Sequence, residues 1–139
     1  MIDLSVLTEK ASLVAKEAGA YLRRQQLTFD RSIVELKSMN ALVSDVDRST
    51  EELIVKRLTE IFPEAGFLTE EETTTQATDS QYTWVIDPLD GTTNFVHGLP
   101  IFSVSIALLK EEWPVIGVVY EVGMDECFTA YEGGGAYLN

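Results

Sequence analysis

The stretch FSVSIALLKEEWPVIGVVYEVGMDECFTAYEGGG, residues 102–135, decides the fold class. Its β-branched and aromatic residues fall into blocks of strand length, and the blocks are broken at Glu111-Glu112 and around Gly123-Met124-Asp125. Breaks that short can join only neighbouring strands that run in opposite directions, so three strands in an antiparallel meander are expected. The last residues, GGGAYLN at 133–139, read as a glycine-rich turn entering an apolar-polar step, and on that ground the chain is expected to be the front part of something longer.

Working outward toward the N-terminus, YTWVID at 82–87 reads as a buried strand, and GFLTEEE at 66–72 as a short strand ending in three glutamates. Between them TTTQATDSQ, residues 73–81, has the small polar composition of an exposed loop. Two helices come before. In residues 2–26, Leu4, Leu7, Ala11, Val14, Ala18 and Tyr21 recur at steps of three and four, one apolar stripe, and Asp3 at the start favours the helix dipole. A second helix is expected to begin near Ser44 or Asp45, to run through Leu53, Ile54, Leu58 and Ile61, and to stop at Pro63. The intervening TFDRSIVELKSMNALVSDVD, residues 28–47, mixes β-branched and turn-forming residues and reads as a loop or hairpin. The expectation is an α+β fold, two helices packed on an antiparallel sheet.

Composition narrows the function classes. The 139 residues, 45% of them hydrophobic, suit a single core. Ten basic residues against 23 acidic ones leave a net charge of −13, which repels a phosphodiester backbone and argues against direct nucleic-acid binding. Apolar runs are far shorter than the roughly 18–20 residues that cross a bilayer, and the N-terminus lacks the layout of a signal peptide. The single cysteine, Cys127, allows no internal disulfide and no multi-cysteine zinc site, and it reads as a buried thiol. A cytoplasmic location is expected. His97 is read as a helix-end side chain, Trp84 and Trp113 as core and hairpin packing, and Gly133 to Gly135 as a turn.

WVIDPLDGTTNFVHGLP, residues 84–100, places Asp87 and Asp90 around Pro88 and Leu89 at the end of a buried strand. Pro88 fixes its own φ and keeps Asp87 extended, while Gly91 permits a backbone closed to other residues, so the strand is expected to end and fold back here. In such a turn the Asp87 carboxylate, the Leu89 carbonyl and the Asp90 carboxylate can converge on a hard cation such as Mg²⁺. Thr92 and Thr93 suit the first turn of a short helix, whose N–H groups attract an anion. Asp-Pro and Asp-Gly are also ordinary turn formers, and the residues alone leave both readings open.

DPLDGTTNF after the strand WVI resembles the inositol monophosphatase family of Mg²⁺-dependent phosphatases, as do ALVSDVD at 41–47, FLTEEE at 67–72, VSIALL, GVVYEV and GGGAYLN, in order and spacing along nearly the whole chain. The resemblance implies that residues 1–139 form the N-terminal α+β, metal- and phosphate-binding portion of a layered αβαβα fold. A C-terminal α/β portion, with a further aspartate ligand in a WDxAAG-like segment, is absent from this sequence. It implies that Glu70, Asp87, the Leu89 carbonyl and Asp90 bind metal, and that Glu70 and Thr92 orient the attacking water with Asp47 behind them. Asp90, Gly91 and Thr92 are implied to contact the substrate, and Lys37 resembles a family lysine. The run Glu70-Glu71-Glu72 leaves the glutamate ligand open by one residue.

The implied reaction is hydrolysis of a small phosphate monoester, inositol 1-phosphate above all, by in-line attack of a metal-activated water without a phosphoenzyme. Lithium sensitivity and a homodimer are implied in the same way. Two alternatives stand beside this. A haloacid-dehalogenase-type phosphatase needs its acid two residues after the nucleophilic aspartate, where this chain has Leu89. A truncated, phosphatase-like module could instead serve interaction or regulation.

Overall fold

The computed structural model describes residues 2–28 and 36–139, and of residues 36–39 the backbone alone. In chain order the elements are α1 (Leu4–Thr28), α2 (Leu36–Ile61), β1 (Gly66–Thr69), β2 (Tyr82–Asp90), α3 (Thr92–Val96), β3 (Ser103–Lys110), β4 (Trp113–Glu121), β5 (Glu126–Tyr131) and β6 (Gly135–Leu138). The strands form one six-stranded sheet in sequence order, and α1 and α2 pack together on one face of it.

The expected meander is present as β3, β4 and β5, antiparallel and joined at the two breaks read from the sequence. The glycine-rich turn leads into β6, antiparallel to β5. Alternation along β3 buries Val104, Ile106 and Leu108 toward the helices and leaves Ser103, Ser105 and Ala107 half-covered, the period-2 pattern of a strand with one core face. Those side chains, with Trp84, Ile116, Val118 and the α1 stripe, form the core. Each one fully buried contributes about 1.5–3 kcal/mol relative to exposure. Gly19 lets α1 press on β4, because a Cβ there would lie 2.4 Å from the Tyr120 ring. Trp113, expected in hairpin packing, is instead 68% exposed at the β3–β4 turn. Cys127 on β5 is buried beneath the helix layer, as the sequence suggested.

Two expectations are corrected. The second helix begins at Leu36, so Ser44 and Asp45 lie inside it and cap nothing. Val43, Val46, Thr50, Ile54 and Leu58 are all buried, at steps of three and four, and this continuous stripe outweighs the strand preference of the two valines. The rest of the expected loop, residues 29–35, lies outside the described residues. The sheet is also not wholly antiparallel, since β1 pairs with β2 in parallel, Phe67 opposite Trp84. The connection from β1 returns to the start of β2, which sets both strands in one direction. Gln76 ties it down by accepting from Thr69 N at 2.8 Å and donating to Thr69 Oγ1 at 3.0 Å and the Thr74 carbonyl at 2.8 Å. Among the described residues no helix is long and apolar enough to cross a membrane.

Candidate active site

The end of β2 is shaped by one extra residue. Asp87 pairs with Ser105 and Asp90 with Ser103, so three steps on β2 match two on β3, which is a β-bulge. Pro88, with no N–H to give the ladder, sits inside it. The strand therefore does not end at Asp87 as expected. It bulges, continues to Asp90, and turns only at Gly91. Within the bulge Asp87 Oδ1 accepts from Leu89 N at 3.3 Å, which orients the carboxylate, and the Leu89 side chain points into the core.

Gly91 caps α3 with φ 101°, and a Cβ there would also stand 2.9 Å from the Ile101 carbonyl, so no other residue fits without strain. Phe95 N closes the first helical bond onto the Gly91 carbonyl, and the N–H groups at the start of α3 have no partner within the helix. Thr92 Oγ1 donates to the Leu89 carbonyl at 3.3 Å, tying the helix start back to the bulge. Gln26 at the end of α1 donates to the Phe95 and Leu99 carbonyls at 3.2 and 3.1 Å and steadies the far end of α3. His97 is exposed at the C-cap and makes its contact there through its backbone N–H.

Three elements bring acids to this place: α2 supplies Asp47, the segment after β1 supplies Glu70 and Glu71, and β2 supplies Asp87 and Asp90. Burial, then the charges of Glu71, Glu70, Asp87 and Glu51, push the Asp47 carboxyl from 3.8 up to about 7. Asp87 is pushed up to about 6 by burial, by a hydrogen bond shared with Glu70, and by the charges of Glu70 and Asp90, while the Leu89 N–H pulls the other way. Among the described residues the ion pairs are those of Arg57 with Glu17 and Glu60, so none balances this group. The acids gather without closing, since among the described residues no three metal-ligating side chains converge into a cage as they stand. A surface cleft of about 990 Å³, lined by Thr83, Lys110 and Trp113 among others, contains none of these residues.

The donor chemistry fits a hard divalent cation: carboxylate and carbonyl oxygens, in excess negative charge, beside backbone N–H groups that suit an anion. Of the three glutamates, Glu70 is the one within hydrogen-bonding reach of Asp87, whereas Glu72 stands at φ 51° and contributes to the surroundings of neither Asp47 nor Asp87. Sequence reasoning missed Glu51, which is fully buried on α2. Its signal was present. Counting back from Leu58 and Ile54 places Glu51 on the apolar stripe and Glu52 outside it.

An α+β layer here gathers acidic oxygens at a bulged strand end, next to a helix start, an arrangement with the donors to seat a cation beside an anion. The chain belongs to the inositol monophosphatase family, whose pattern it matches over residues 3–139. It is 45% identical over 125 residues to an inositol-1-monophosphatase of Mesorhizobium japonicum, covering 90% of this chain and 47% of that one. It is 42% identical to a Nus factor SuhB of Pasteurella multocida, again over 90% and 47% of the two chains. The inositol monophosphatase structure from Anabaena superposes with a TM-score of 0.82 at 33% identity, over 99% of this chain and 48% of that one. The chain thus spans about half the length of the relatives it matches.

Proposed function

We propose that the protein at full length is a Mg²⁺-dependent phosphatase of phosphate monoesters, with an inositol phosphate as substrate, and that residues 1–139 supply its N-terminal metal- and phosphate-binding portion. The observation that carries this is the cluster of Asp47, Glu70, Asp87 and Asp90, paired with no cation among the described residues, beside Gly91 and Thr92. In this reading Glu70, Asp87, the Leu89 carbonyl and Asp90 hold the metal. When bound, the metal neutralises phosphate charge and acidifies water. Gly91 and Thr92 N–H groups receive phosphate oxygens, and because α3 is only five residues long they act as local donors rather than through a macrodipole. Glu70 and the Thr92 hydroxyl orient the attacking water, and Asp47, whose carboxyl holds a proton readily near neutrality, sits behind the group.

Release of inorganic phosphate from inositol 1-phosphate, with and without Mg²⁺ and with chelator, tests the proposal. Turnover that is Mg²⁺-dependent and chelator-sensitive supports it, and turnover unaffected by chelator rejects the metal assignment. A second reading, an interaction role without catalysis, draws on the relative that carries a factor's name rather than an enzyme's. It requires that the full-length protein release no phosphate from any phosphate monoester offered.

A further inference from the structure

The segment that carries Glu70 has no regular structure of its own between β1 and Gln76, yet its path is anchored from another element. Glu51 on α2 accepts from Glu71 N at 2.8 Å through one carboxylate oxygen. Through the other it accepts from Thr73 N at 2.9 Å and Thr73 Oγ1 at 2.7 Å. The side chain is fully buried, so these three donors stand in for the water it has lost.

We infer that Glu51 is a positioning residue for divalent-cation binding: it fixes the peptide from which Glu70 projects toward Asp87. The inference rests on the reading of the acid cluster as a cation site. Glu70 immediately precedes the anchored Glu71 N–H, and Glu72, at φ 51°, folds the chain back so that Thr73 meets the same carboxylate. Asp47 stands one helical turn before Glu51 on α2, so a single rigid element sets both the loop and the acid behind it. An apolar residue at position 51 would fill the core equally well but leave Glu71 N and Thr73 N without an acceptor, and the loop without a fixed path. Glutamine keeps the size but offers one acceptor oxygen and turns an NH₂ donor toward an N–H donor.

The test is Mg²⁺ affinity by titration calorimetry on the full-length protein, alongside amide hydrogen exchange at Glu71 and Thr73. Glu51→Gln is expected to weaken Mg²⁺ binding on the order of tenfold or more and to speed exchange at those two amides. Thr50→Val serves as the control, because Thr50 is buried beside Glu51 and donates only to its own helix at the Val46 carbonyl, 2.6 Å away. It should bind Mg²⁺ like the wild type. Thr73→Val removes one of the three donors and should weaken binding in the same direction by less, which covers the case of Glu51→Gln failing to fold. Unchanged affinity in Glu51→Gln and Thr73→Val, or an equal loss in Thr50→Val, overturns the positioning role. A wild type with no Mg²⁺ affinity overturns the cation-site reading itself, a distinct result.

Discussion

Asp87 and Asp90 sit in one bulge but in different surroundings. Asp87 is half-buried and shares a hydrogen bond with Glu70, whereas Asp90 is exposed. Asp90→Asn should therefore leave the folding stability nearly unchanged, within about 0.5 kcal/mol by thermal unfolding, while turnover with Mg²⁺ falls on the order of a hundredfold. Retained turnover would remove Asp90 from the metal. Asp47 makes a different prediction. Its pKa and that of Asp87 are raised in the folded chain, so the fold binds their protons more tightly than the unfolded chain does. That contribution is complete below about pH 4 and is lost as pH rises through 6 to 7. In chelator-treated protein, the melting temperature should drop across this window, the drop should be smaller in Asp47→Asn, and added Mg²⁺ should restore more at the upper end. An identical pH profile in Asp47→Asn would show that the strain lies elsewhere.

At the scale of elements, the turn from β2 into α3 depends on one glycine. Gly91→Ala meets both a left-handed φ and the Ile101 carbonyl, so it should cost at least about 1–2 kcal/mol in thermal unfolding and displace the first N–H groups of α3. Weaker inhibition by inorganic phosphate should accompany the loss of stability. Stability lost with phosphate inhibition intact would separate the turn from the anion site. Hairpin strands announce themselves through local alternation and short turns, so β3 to β5 were legible in residues 102–135. The start of α2 was not, because Val43 and Val46 carry strand preference and Ser44 and Asp45 carry cap preference, and only the buried stripe continuing to Leu58 resolves the conflict. The parallel direction of β1 depends on where a connection returns in space, which no local pattern records.

For the molecule as a whole, Asp87 to Thr92 were legible as a candidate site, beside the reading as an ordinary turn, because they are contiguous and joined by a proline and a glycine with definite backbone demands. Asp47 and Glu70 come to the same place from separate elements, and resemblance alone had linked them. Glu51 lies one turn from Asp47, yet its role depends on a loop twenty residues further on.

The thiol of Cys127 has a use unconnected with the acid cluster. It is 2% exposed, and burial raises its pKa, so while the sheet and α1 stay packed it presents neither access nor thiolate to a labelling reagent. It is also the sole cysteine in the sequence. Its modification rate by a chromogenic disulfide is thus a clock for the breathing of β5 against the helix layer. Labelling should be slow in dilute buffer and should accelerate with sub-denaturing urea. Immediate stoichiometric labelling would mean that this part of the layer opens freely.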